Sequence, residues 1–128
     1  MGVVSSRSTR SLGVIEYLVN APISLLVPCG IILVASIPLM LGLVPPNRLY
    51  GFRTRETLGN RDLWFRANRF AGFALFVAAG ASSIVFLVQP EYASGRSLAG
   101  LLVLLLPLVT AIAACFVYLQ RLRSGGPR

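Results

Sequence analysis

Charged residues divide the chain into three long apolar runs. No Asp, Glu, Lys or Arg occurs from Tyr17 to Asn47, from Phe70 to Pro90 or from Ser97 to Gln120. Each run exceeds the ~20 residues needed to cross a hydrocarbon core roughly 30 Å thick. Within such a core each segment must satisfy its own backbone N–H and C=O groups, which selects helix. The pattern predicts an all-α integral membrane protein with three transmembrane helices at about residues 22–44, 70–88 and 98–119, forming one membrane domain over 22–119. Residues 1–21 read as a polar N-terminal segment leading into an interfacial helix start, with Glu16 and Tyr17 at headgroup level. Residues 120–128 read as a basic C-terminal tail.

Punctuation within the runs refines this. Pro28 and Pro38 interrupt the first span and Pro107 the third, each removing an N–H donor and favouring a kink. Pro45 and Pro46 are expected to end span one. Residues 47–60, NRLYGFRTRETLGN, read as a loop rich in turn formers. Asn60 is placed to cap the next helix, with Asp62 in its first turn against the helix dipole. That helix begins with an amphipathic foot, in which Leu63, Trp64, Ala67 and Phe70 recur at helical spacing beside Arg61, Arg66 and Arg69. Farther along, Ala74, Ala78 and Ser82 make a small-residue stripe with Gly72 and Gly80 nearby, and Thr110 and Ala114 offer a matching surface on span three.

Composition changes the picture only in detail. The chain of 128 residues is 55% hydrophobic and 12% charged, which excludes an ordinary soluble domain. Its net charge of +8 comes from 12 basic residues, all Arg, against Glu16, Glu56, Asp62 and Glu91. The Arg residues flank the apolar spans, so topology and anionic lipid headgroups explain them better than nucleic acid does. Three crossings put Arg7, Arg10 and Arg96 on one side. Arg48, Arg53, Arg55, Arg61, Arg66, Arg69, Arg121, Arg123 and Arg128 fall on the other. This bias places the 45–69 loop and the C-terminus in the cytoplasm and the N-terminus outside. Tyr50, Trp64 and Tyr118 then lie near the inner interface, and Tyr17 and Tyr92 near the outer one.

Arg7 and Arg10 before an apolar run raise the possibility of a cleaved signal, but the run is too long for one. Pro28 also disfavours lipoprotein-type processing at Cys29. Cys29 and Cys115, each inside an apolar run, are expected to pack as small hydrophobes.

Catalytic equipment is sparse: there is no His, no Lys and no Cys pair at ligand spacing, so neither enzyme activity nor a cofactor or metal is expected. Glu56 and Asp62 read as charge partners for neighbouring Arg residues. The spans carry no ionisable group of the kind that lines a coupled-transport path.

What remains is the segment VPPNRLYGFRTRETLGNRDLWFRANRFAG, residues 44–72. A Pro-Asn pair after one span, then Gly-aromatic-Arg-Thr, a Trp and an Asn-Arg…Gly group entering the next span are carried by Pro46, Asn47, Gly51, Phe52, Arg53, Thr54, Trp64, Asn68, Arg69 and Gly72. In order and spacing this segment resembles the signature of the SdpI family of small bacterial membrane proteins, and with its flanking spans the resemblance covers nearly all of residues 22–119. It implies a multi-pass plasma-membrane protein. The family's namesake confers immunity to a secreted antimicrobial peptide and signals to a membrane-bound repressor.

The same residues have a physical reading of their own. Gly51 permits a close backbone approach, and Arg53 offers a forked contact to a carboxylate or phosphate. Trp64, Asn68 and Gly72 share one helix face, where the Asn68 amide suits a hydrogen bond to the folded-back loop. The expected function is binding and signalling, or immunity to a membrane-active peptide, through residues 44–72. Partners would be the lipid bilayer with its anionic headgroups, a peptide toxin or a regulatory protein. The alternative is a structural accessory subunit bound to other membrane subunits.

Overall fold

The computed structural model describes residues 12–16, 24–94 and 96–125, and these contain helices and connecting turns but no strand. A first helix, α1, is described over residues 12–16; the remainder of residues 1–21 lies outside the described residues. There follow α2 (Leu26–Met40), α3 (Arg55–Gly59), α4 (Arg61–Val88), a 3₁₀ turn (Pro90–Tyr92) and α5 (Leu98–Ser124). α4 is the central member, packed between α2 and α5.

α4 and α5, with 28 and 27 residues, are long and apolar enough to cross a membrane. At 1.5 Å per residue each extends about 40 Å. The first expected span is shorter than the pattern implied, because α2 holds 15 residues, about 22 Å at the same rise. Its end corrects the expectation placed on Pro45 and Pro46. Gly42, at φ +68°, turns the chain left-handed two residues after Met40. Gly42 N–H donates to the Leu39 carbonyl at 3.1 Å and Leu43 N–H to the Pro38 carbonyl at 3.0 Å. These paired bonds satisfy the last helical carbonyls before either proline is reached. Pro28 falls in the first turn of α2, where its missing N–H has no intrahelical acceptor to lose, while Pro38 and Pro107 lie within continuous helices.

Side-chain sizes are distributed as a lipid solvent requires. Between Trp64 near its start and Phe86 near its end, the buried face of α4 is mostly small, with Ala67, Ala71, Gly72, Ala78, Ala79 and Ser82 beside Asn68, while Val34, Phe73, Ile84 and Leu106 point outward. A water-soluble bundle would bury the large groups; between membrane helices small groups permit close backbone contact. At Gly72 a Cβ would stand 2.7 Å from Met40 N and 2.8 Å from the Ser36 carbonyl oxygen, so only glycine admits α2 at this distance. Across the other interface Ser82 donates to the Val103 carbonyl at 2.9 Å. The expected stripe is thus split: Ser82 is buried between the helices, Ala78 is buried but, with Ala74, Thr110 and Ala114, lines an open groove, and Gly80 faces open space. Cys29 and Cys115 are buried and unbridged.

The two ends of the bundle are closed differently. At one, Leu25 N–H donates to the Ala93 carbonyl at 2.9 Å, tying the start of α2 to the connection between α4 and α5. At the other, residues 41–60 fold over the start of α4 beside the end of α5, and most of the Arg residues gather there.

Candidate functional site

The connection from α2 to α4 is a folded cap. Its first anchor is Trp64, fully buried, whose indole N–H donates to the Val44 carbonyl at 2.9 Å. Past Pro46, Asn47 makes a side-chain turn. Its Oδ1 accepts from Leu49 N at 2.9 Å and Tyr50 N at 2.8 Å, and its Nδ2 donates to the Pro45 carbonyl at 2.8 Å. Gly51, at φ +110°, then turns the backbone onto α4. A Cβ at Gly51 would stand 2.5 Å from Asn68 Oδ1, so both conformation and space demand glycine.

Asn68 holds the next residue at both polar ends. Phe52 N–H donates to Asn68 Oδ1 at 2.6 Å, while Asn68 Nδ2 donates to the Phe52 carbonyl at 3.3 Å and to the Trp64 carbonyl at 2.9 Å. One buried amide therefore replaces the strand partner that the Phe52 backbone lacks. The Phe52 ring meets Phe116 of α5 edge to face, with centroids 5.1 Å apart. Farther into the bundle Phe70 stacks on Tyr118 at 4.3 Å.

The expected loop over 47–60 also contains a helix. Thr54 and Thr57 cap α3 reciprocally: Thr57 N–H donates to Thr54 Oγ1 at 3.1 Å and Thr54 N–H to Thr57 Oγ1 at 2.8 Å. Thr57 is wholly buried, and its hydroxyl also reaches the Phe52 carbonyl at 3.2 Å. Asn60 caps α4, accepting from Asp62 N at 3.0 Å and Leu63 N at 3.2 Å.

On this frame the charged groups face outward. Arg48, Arg53, Arg55, Arg61, Arg66, Arg69, Arg121 and Arg123 are all exposed at this end, against Glu56 and Asp62. The Arg53 guanidinium donates to the Arg48 carbonyl, which aims it across the turn. Arg69 lies against Gly42, at the carbonyl end of α2, where the helix dipole favours a cation. Arg61 sits 5.9 Å above the Phe65 ring. Asp62 pairs with Arg66 at 3.1 Å, as neighbours on one helix face. Glu56 instead pairs with Arg123, at 3.2 Å and from a different helix. Both pairs are solvent-exposed and contribute at most about 1 kcal/mol each.

Several features were not read from the sequence. Residues 120–124, expected as tail, continue α5, because nothing in QRLRS breaks a helix before Gly125. Arg123 is therefore a helical residue held near Glu56. Thr57 and Gly42 left only weak signals, a Thr-x-x-Thr spacing and a glycine near a helix end. Tyr50 left none: its hydroxyl is buried without a hydrogen-bond partner among the described residues, and burial pushes its phenol above the ordinary value of 10.0. Of the ten signature residues, Asn47, Gly51, Phe52, Thr54, Trp64, Asn68 and Gly72 shape the cap or its seat. Pro46 leads into the Asn47 turn, and Arg53 and Arg69 lie on the outside.

Residues 43–119, which hold the cap and everything through the end of the third expected span, match the SdpI/YfhL protein family. A protein of Bacillus subtilis (strain 168), named Uncharacterized protein YfhL, is 32% identical over 95 residues, covering 72% of this chain and 76% of that protein. No solved structure matches the chain.

Proposed function

This chain belongs to the SdpI/YfhL protein family, and from that premise we propose that it is a three-span membrane protein whose arginine-rich cap binds a partner at the cytoplasmic face. The binding is of the immunity or signalling kind: the chain confers tolerance to a membrane-active peptide or relays its presence to a regulatory protein. In this reading α2, with its flanking apolar residues, completes a third crossing. The bias of Arg toward the cap and α5 end orients that end inward.

The observation that carries the proposal is the frame under the arginines. A connection that merely set topology would need no fixed conformation, yet Asn47, Trp64 and Asn68 make six hydrogen bonds to the cap backbone, between 2.6 and 3.3 Å. Arg48, Arg53 and Arg55 thereby leave the cap from a defined backbone and remain exposed. A preorganised set of planar guanidinium groups suits a partner's carboxylates better than a mobile basic loop does. The test is deletion of the gene followed by challenge with membrane-active peptides and re-expression of the chain. Lost tolerance restored by the chain supports the reading. Unaltered tolerance, together with no protein co-purifying with the chain, overturns it.

A further inference from the structure

A groove of about 560 Å³ runs between α4 and α5 on the membrane-facing side, lined by Phe73, Ala74, Val77, Leu106, Thr110 and Ala114 among others. It exists because small residues at Ala74, Ala78 and Ala114 leave space between two helices that touch again at Phe70 and Tyr118. Its size falls within the ~300–1,000 Å³ of ligand-holding clefts. Toward the cap, beyond the stacked Phe70 and Tyr118 rings, the same helix faces line a second cleft of about 470 Å³, with Asn60, Asp62, Leu63, Arg66, Arg121 and Leu122. Helical periodicity puts the two clefts in line along the seam between α4 and α5, one on either side of that stack: Arg66 is one turn before Phe70, and Arg121 is two turns beyond Ala114.

We propose that this seam is a binding site for one anionic phospholipid, with an acyl chain in the groove and the phosphate at Arg121 and Arg66. The occupant follows from charge complementarity. The groove opens onto hydrocarbon and offers almost nothing polar, so a chain of methylenes fills it. The seam's polar end contains two arginines and one carboxylate, and Asp62 is engaged by Arg66 at 3.1 Å. Arg121 makes no ion pair among the described residues, and a guanidinium at the membrane surface binds a phosphate through its planar fork. This site is separate from the outer face of the cap, and its test involves no peptide or partner protein.

The test is native mass measurement of the full chain in mild detergent, titrated with phosphatidylglycerol or with phosphatidylcholine of the same chain length. Phosphatidylglycerol is expected to bind preferentially. Arg121→Gln should weaken it about fivefold while leaving phosphatidylcholine unchanged, and Thr110→Phe, which fills the groove from an exposed position, should weaken both. Soluble glycerol phosphate should fail to displace the lipid. Equal binding of the two lipids overturns the proposal, as does an Arg121→Gln effect no larger than that of Arg96→Gln at the opposite end. Displacement by glycerol phosphate would show a headgroup site without the groove. A two-chain species abolished by Thr110→Phe would show that a second copy occupies it. Either result also overturns the proposal.

Discussion

Replacing Asn68 with Leu tests the cap where its hydrogen bonds converge. The two side chains have the same branched skeleton of four heavy atoms and Asn68 is only 2% exposed, so the substitution keeps the branching and removes the polarity. Three hydrogen bonds are lost, but they are not equal. The Trp64 carbonyl is a helical acceptor that keeps its own backbone ladder, and the Phe52 carbonyl retains the Thr57 hydroxyl at 3.2 Å. The Phe52 N–H, which donates to Asn68 at 2.6 Å, has no substitute among the described residues while the cap stays closed. Leaving such a donor unpaired costs about 1–3 kcal/mol, and lifting the cap into water relieves it. Taking about 2 kcal/mol, the closed-to-open ratio falls roughly 30-fold. Because α2, α4 and α5 keep their own contacts, the opening is local. Hydrogen exchange of the 47–60 segment in nanodiscs, read by mass spectrometry, should accelerate by that factor, with α4 beyond Phe70 unaffected. Exchange within twofold of the unmodified chain would refute the claim that Asn68 holds the cap down.

Gly51→Ala should open the same segment by a different route, through a disfavoured backbone conformation and a Cβ at 2.5 Å from Asn68 Oδ1; a strain of about 1–3 kcal/mol is expected, measured by the same exchange experiment. Burial raises the Tyr50 phenol, so its neutral form is favoured in the closed cap. That contribution is complete below pH 10.0 and declines as pH climbs toward the raised value, so cap exchange corrected for intrinsic chemistry should quicken in alkali, and Tyr50→Phe should remove this limb. With Cys29 and Cys115 replaced, a cysteine at Ser94 should react with an impermeant reagent on intact cells and one at Ser124 should not; the reverse pattern would invert the topology.

Much of the fold was legible because hydrocarbon imposes simple rules. The uncharged runs located α4 and α5, ending at Val88 and starting at Leu98 as the charge pattern implied, and Asn60 announced the start of α4. The end of α2 was misread because proline is a conspicuous breaker and glycine an ambiguous one. At Gly42 the left-handed turn preceded Pro45 and Pro46 and made them irrelevant to the helix. In the cap, Trp64, Asn68 and Gly72 stood out by sharing a helix face. Their partners did not, since Val44 and Phe52 contribute backbone atoms that carry no sequence signature. The pairing of Glu56 with Arg123 joins residues 67 positions apart, and only the antiparallel return of α5 brings them together.

The central claim is that the cap presents a built site rather than a diffuse positive charge, and Arg53 decides it. Arg53→Ala, Arg53→Lys and Arg61→Ala should be compared at equal membrane levels for peptide tolerance or partner co-purification. Both positions lie at one end of the bundle, and two of the three changes remove a single charge. Diffuse attraction assigns each arginine about 1 kcal/mol and spares Arg53→Lys, which keeps its charge. A built site predicts that both Arg53 variants lose function while Arg61→Ala retains it, because an ammonium cannot reproduce the planar fork of the guanidinium. Equal losses in Arg53→Ala and Arg61→Ala, with Arg53→Lys unaffected, would contradict it.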